Sequence, residues 1–131
     1  MRAFTESIQM QLCYGNVPYT YHMAWEYFEK SWPEMKKEIG FGQLPVLIVD
    51  NQTTIWQSGS IMRYTAKLAN TLPASEEDRA IADAIFESSQ ELFQPLNATI
   101  NFKTGEEYEA LKKTILAGFE PKIFYLSLIH I

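Results

Sequence analysis

Apolar positions near the start of the chain recur at helical spacing. Ile8 and Leu12 fall four apart, Met10 and Cys13 widen the face, and the pattern predicts a helix over 4–14. Gly15-Asn16 supplies a C-terminal stop, with Pro18 close behind. Residues 19–23, Tyr-Thr-Tyr-His-Met, suit a pleated surface and are expected as a strand. Trp32-Pro33-Glu34 opens a short helix, because proline is tolerated in a first turn. The run at 44–50, Leu-Pro-Val-Leu-Ile-Val-Asp, is the clearest strand, and its near-continuous apolar character predicts burial on both faces. Asn51-Gln52 then turns the chain, and 53–56 pairs back as a hairpin. A helix is expected over 58–69, with Ile61, Tyr64 or Thr65, and Leu68 on one side.

After a connector at 71–74 that contains Pro73, the pattern is helical only. Ser75-Glu76-Glu77-Asp78 resembles a capping box. The helix it opens carries Ile81, Ile85, Ser88 and Leu92 on one stripe and is expected to end or kink at Pro95. Thr104-Gly105-Glu106-Glu107 caps a further helix, with Tyr108, Leu111, Ile115 and Phe119 at spacings of three and four. The order is α/β and then all-α. Residues 1–72 read as one domain and 73–125 as the start of a second. A helix that leads into a strand ordinarily follows a partner strand in an α/β unit. None stands before residue 4, so the first domain is expected to lack its first strand, and the exposed sheet edge to favour aggregation. The tail at 126–131, Leu-Ser-Leu-Ile-His-Ile, reads back into nucleotides that resemble a library-preparation adapter. It is expected to be an artefact, and His130 then carries no functional weight.

Composition narrows the function classes. With 47% apolar residues, 8 Phe, 7 Tyr and 3 Trp among 131 residues, the chain has ample material for a core and is not disordered. Its formal charge of -5 offers no basic footprint, so no nucleic-acid partner is expected. A single cysteine excludes an internal disulfide and fits a reducing compartment. No run approaches the roughly 20 apolar residues of a membrane helix, and the start lacks a signal-peptide layout. The expectation is a cytoplasmic protein with no membrane partner.

The segment Phe41-Gly42-Gln43-Leu44-Pro45-Val46-Leu47, followed by Gln57-Ser58 and Ile61-Met62-Arg63-Tyr64, resembles the N-terminal domain of cytosolic glutathione transferases. The likeness is nearest the sigma class and its glutathione-dependent prostaglandin D synthase relatives, and it runs from Arg2 to Gln94. It implies a thioredoxin-like glutathione-binding domain followed by an α-helical domain, with glutathione as co-substrate. In the family the Pro of Leu-Pro is cis, which turns the preceding N–H and C=O toward the cysteinyl backbone of glutathione like a short β-bridge. Leu44 and Pro45 take those parts. Gln57 and Ser58 take the family's place for the γ-glutamyl carboxylate, at a helix N-terminus that attracts anions; a purely capping Ser is the alternative. Their spacing from Pro45 is one residue longer than the sigma pattern, which the hairpin turn absorbs.

Trp32 and Lys36 match the family's Trp-Pro-Glu-x-Lys pattern, whose indole N–H and ammonium reach the glycyl end. A core Trp and a surface Lys are the alternative. Gln43 aligns with another position near the glycyl end. Glu87 aligns with an acidic residue, usually Asp, that meets glutathione's amino group across a dimer interface; a solvated helix Glu is the alternative. The family's thiolate-stabilising Tyr is expected upstream of Met1, because Arg2-Ala3 aligns with the start of an Arg-Ala-Glu segment that follows it, with Phe4 in place of Glu. No catalytic residue is therefore assigned here, and no metal site. Arg2 corresponds to an Arg that lowers the thiol pKa. Tyr14, Tyr19 and Tyr21 read as core or strand aromatics, and Cys13 as a small buried residue.

The resemblance implies a homodimeric transferase that joins the glutathione thiolate to a small apolar electrophile. A glutathione-dependent prostaglandin isomerase and a non-catalytic, crystallin-like member are the alternatives. A thioredoxin or glutaredoxin redox module is disfavoured by the absence of Cys-x-x-Cys.

Overall fold

A glutamine, rather than the methionine and cysteine near it, completes the inner face of the first helix. The computed structural model describes residues 3–128, with the side chains of residues 3, 93, 96–102 and 120–128 outside the description. Helix α1 (Ala3–Tyr14) buries Ile8, Gln9 and Leu12. Met10 and Cys13 are exposed, which corrects the expected wider apolar face and the buried cysteine. The reason is rotational. Each residue turns about 100° round a helix, so a position one past Leu12 or two past Ile8 leaves the buried stripe. The Arg2 expectation lies outside the described residues.

Residues 17–23 form no strand, contrary to expectation. A strand needs a ladder partner for its N–H and C=O groups. Among the described residues the sheet consists of two other strands paired with each other. Tyr14, Tyr19 and Tyr21 are all exposed, so none is a core or strand aromatic. The segment leads instead into α2 (Ala24–Phe28), where Met23 N–H donates to the Glu26 carboxylate at 3.3 Å.

Helix α3 (Trp32–Glu38) starts as the sequence predicts, with Pro33 in its first turn. Ser31 at its N-cap donates to Glu34 through both Oγ (2.6 Å) and the backbone N–H (3.1 Å). A 3₁₀ turn (Gly40–Gly42) follows, and then the hairpin of β1 (Val46–Val49) and β2 (Thr53–Trp56). The strands are antiparallel, pairing Val46 with Trp56, Leu47 with Ile55, Ile48 with Thr54 and Val49 with Thr53. At the tip Asp50 (φ 51°) and Asn51 (φ 56°) are left-handed, and Gln52 N–H closes the turn onto the Val49 carbonyl at 3.0 Å. Asp and Asn are the non-glycine residues that tolerate this conformation best.

Alternation divides the hairpin into two faces. Leu47 and Ile55 pack on a core of Ile8, Leu12 and Ile61, joined by Val17 and Met62. On the opposite face Val46, Ile48, Thr54 and Trp56 meet Phe28, Glu38 and Ile39 around a cavity of about 130 Å³. Every residue of β1 is therefore half-buried, not fully buried on both sides as its apolar run suggests.

Helix α4 (Ser58–Leu68) buries Ile61, Thr65 and Ala66 and ends beside buried Ala69. Leu68 is exposed and Tyr64 half-buried, so Thr65 occupies the inner position. A buried hydroxyl needs a partner. Thr65 donates to the Gln11 carboxamide oxygen at 2.5 Å, and the Gln11 amide nitrogen donates to Thr71 at 3.2 Å. This polar chain ties α1 to α4 at the level where Gly15 meets Ala69. A β-carbon on Gly15 would fall 2.5 Å from that of Ala69, so only glycine permits the approach.

The chain divides into two compact units, Met1–Leu72 and Pro73–Ile131. The second contains α5 (Glu76–Phe102) packed on α6 (Gly105–Leu128). Asp78 N–H donates to Ser75 Oγ at 3.0 Å, which is the predicted cap. On α5, Ile85 and Leu92 are half-buried, whereas Ile81 and Ser88 are exposed. The helix continues through Pro95 and does not end there. Proline removes one ladder bond, and the rest of a 27-residue helix carries it. Tyr108, Leu111, Ile115 and Phe119 of α6 are half-buried together. Helix α6 takes in residues 126–128 of the tail read as an artefact; His130 and the rest of 129–131 lie outside the described residues.

Candidate functional site

The open end of the hairpin brings two distant segments side by side. Val46 pairs with Trp56, so residues 44 and 45 enter β1 next to where 57 and 58 leave β2. The Leu44–Pro45 peptide bond is cis. Leu44 is 45% exposed, and no backbone hydrogen bond joins its N–H or C=O to another described residue. These are a donor and an acceptor of the kind an extended peptide can pair with.

Gln57 is the N-cap of α4 and holds φ 67° and ψ 123°, sparsely populated for a residue with a β-carbon. Its side chain makes no capping bond. It reaches back instead, and its carboxamide nitrogen donates to the Gln43 carboxamide oxygen at 3.0 Å. Ser58 is the first residue of α4 and is half-buried. The first intrahelical bond runs from Ile61 N–H to the Gln57 carbonyl, at 3.0 Å. The N–H groups of Ser58, Gly59 and Ser60 therefore precede the helical ladder. They form the positive end of the helix dipole, suited to a carboxylate.

Trp32 and Lys36 stand four apart on α3, on one side of the helix. Trp32 is 43% exposed, not a core residue. The Lys36 stem runs along Gly42. A β-carbon built on Gly42 would lie 3.1 Å from Lys36 Cγ and 3.2 Å from Cε. The ammonium is thus carried beside the chain just before Gln43, and among the described residues no ion pair holds it. Sequence reasoning assigned no part to Gly42. The signal was a glycine inside the Phe-Gly-Gln-Leu-Pro run, and its φ of +58° shows why glycine stands there.

On the same helix the Ser31 hydroxyl, and then its backbone N–H, hold the Glu34 carboxyl below its ordinary range; Lys30 adds a smaller attraction, against slight desolvation. Beyond Gly42, the 3₁₀ turn packs over Trp56. Phe41 meets the indole edge-on at 6.3 Å, and a β-carbon on Gly40 would fall 2.6 Å from it.

Gln43, Leu44, Pro45, Gln57 and Ser58 are therefore brought together, and Lys36 is led to them by Gly42. Trp32 shares α3 with Lys36. Glu87 is exposed on α5, in the second unit. Among the described residues, no group of His, Cys, Asp and Glu is arranged to hold a metal ion.

Comparison with known proteins bears on the family and the fold. The family described as glutathione S-transferase, N-terminal domain, matches residues 1–67. Glutathione S-transferase 4 of Caenorhabditis elegans is 30% identical over 124 residues, 92% of this chain and 56% of that protein. Human hematopoietic prostaglandin D synthase is 32% identical over 88 residues, 67% of this chain and 42% of that protein. The crystal structure of the glutathione S-transferase from Ascaris lumbricoides superposes with a TM-score of 0.78 at 23% identity, covering 96% of this chain and 62% of that one. At that identity the likeness speaks for the fold alone. The chain spans about half the length of the curated relatives it matches. Its fold is the thioredoxin-like transferase N-terminal domain, with a small two-stranded sheet, followed by helices. By the match across its first 67 residues, the chain belongs to the glutathione S-transferase family of enzymes.

Proposed function

We propose that the first unit binds glutathione along residues 43–45 and 57–58, and that the protein is a transferase joining the glutathione thiolate to small apolar electrophiles. The observation that carries this reading is the Gln43–Gln57 hydrogen bond at the open end of the hairpin. It sets the exposed Leu44 backbone beside the first turn of α4. A tripeptide has the matching groups: a backbone for Leu44 to pair and a γ-glutamyl carboxylate for the N–H groups of Ser58 to Ser60. Lys36 and the Trp32 indole serve the glycyl end.

A thiol of unperturbed pKa near 8.5 is only a few per cent ionised at neutral pH, so turnover requires a donor aimed at the sulfur. The binding groups named here hold the backbone and the carboxylates, not the sulfur. Catalysis therefore depends on a further group, and a tyrosine is the proposed one, as the family resemblance implies.

The finer assignments are a sigma-like class, a homodimer in which Glu87 meets the glutathione amino group of the opposite subunit, and a cytoplasmic location. Among the described residues no helix is long and apolar enough to cross a membrane. A glutathione-dependent prostaglandin isomerase is the second reading, favoured by the 32% identity to the human prostaglandin D synthase.

Retention on immobilised glutathione tests the binding proposal. The wild-type chain is expected to be retained and to elute with free glutathione. Ser58→Ala is expected to lose retention while its unfolding midpoint stays close to that of the wild type, because Gln57 and not Ser58 is the N-cap of α4. Passage of the folded wild-type chain straight through the column refutes it.

A further inference from the structure

We propose that Gly42 is a positioning residue for Lys36, and that through it the site selects ligands ending in a free carboxylate over otherwise identical amides. The inference rests on the glutathione reading above and adds a residue that the reading does not use.

Gly42 performs two tasks with one missing side chain. Its φ of +58° follows Phe41 at φ 63°, and these two left-handed residues redirect the chain from α3 into the 43–45 segment. Its N–H fixes the turn by donating to the Ile39 carbonyl at 2.9 Å. The bare α-carbon also leaves a seat for the Lys36 stem. Any β-carbon there would press on Lys36 Cγ at 3.1 Å, on Cε at 3.2 Å and on the Lys36 carbonyl oxygen at 3.3 Å. Contact at both Cγ and Cε means that the stem runs along the glycine instead of crossing it once. Cε carries the ammonium, so the charge lies one bond from an atom seated on the glycine.

A lysine side chain is long and flexible, and ordering it on binding opposes affinity. A stem already laid along Gly42 has lost part of that freedom before a ligand arrives. The ligand group that benefits is an anion at the end of the bound peptide. Lysine acts there as a point charge, so the benefit belongs to the carboxylate and vanishes with an amide.

The test compares glutathione with glutathione amidated at its glycyl carboxylate, by calorimetric titration of the full chain. Four proteins are titrated: wild type, Gly42→Ala, Lys36→Met and the double variant. The wild type is expected to prefer the free acid by about threefold to fivefold, the scale of an exposed ion pair. Gly42→Ala is expected to reduce that preference toward unity while leaving the affinity for the amide nearly unchanged. Lys36→Met is expected to abolish the preference, and the double variant to match it. If Gly42→Ala fails to fold, Gly42→Asn decides, because asparagine tolerates positive φ yet still brings a β-carbon. A glycine variant that keeps the preference, or that weakens acid and amide equally, overturns the positioning role. A wild type that binds both ligands alike overturns it too, while leaving the glutathione reading intact. A wild type that binds neither overturns both.

Discussion

The Gln57 carboxamide nitrogen donates to the Gln43 carboxamide oxygen at 3.0 Å, across a separation of 14 residues. The bond joins the residue before the Leu-Pro pair to the residue before the first turn of α4. Gln57 reaches it from a backbone that disfavours any β-carbon, at φ 67°. Side-chain chemistry and backbone cost therefore oppose each other at one position.

Substitution at Gln57 separates the two. Gln57→Ala loses the bond and keeps the backbone cost, whereas Gln57→Gly loses the bond and relieves the cost. The glycine variant is expected to be more stable than the alanine variant by about 1 kcal/mol in denaturant titrations. Both are expected to bind glutathione more weakly than wild type. An alanine variant at least as stable as the glycine variant contradicts the strained assignment.

The helix pair beneath the site leaves no room at Gly15. Gly15→Ala drives a methyl into Ala69, and overpacking of this kind costs about 1–3 kcal/mol. A loss in that range is expected from chemical denaturation. Unchanged stability shows that α1 and α4 do not approach as described.

Acid is expected to loosen the start of α3. The folded pKa of Glu34 is lowered by its bonds from Ser31. A lowered carboxyl stabilises the fold above its unfolded value of 4.5 and loses that contribution as the pH falls through the folded value. The difference in thermal midpoint between wild type and Glu34→Gln is therefore expected to be largest near neutral pH and to shrink below pH 4.5. A difference that grows on acidification has the opposite sign and refutes the assignment.

In the second unit, Ser75 caps α5 through the Asp78 N–H. Ser75→Ala is expected to cost about 0.5–2 kcal/mol, read from the unfolding of α5 by circular dichroism. No change shows that the cap is idle.

Local signals in the sequence located most elements. Ser31 with Pro33, the apolar run through Val46–Val49, and Ser75 with Asp78 each mark an element by chemistry contained within a few residues. The misses share a cause. Whether Tyr19 and Tyr21 lie in a strand depends on a ladder partner, which no local pattern reveals. Whether Cys13 or Gln9 faces inward depends on how α1 is turned against α4, which the spacing within α1 alone does not reveal. The site was legible as a motif, Gln-Leu-Pro with Gln-Ser. The bond that joins its halves, and the seat that Gly42 gives Lys36, exist only once the hairpin register is set.

Backbone amide shifts recorded while glutathione is added test the central proposal most directly. Saturable changes are expected at the Leu44 N–H and at the N–H groups of Ser58, Gly59 and Ser60, with the last three lost in Ser58→Ala. Changes confined to the opposite face of the hairpin, at Val46, Ile48 and Thr54, or a silent Leu44 in the presence of saturating glutathione, contradict a cleft formed by these two segments.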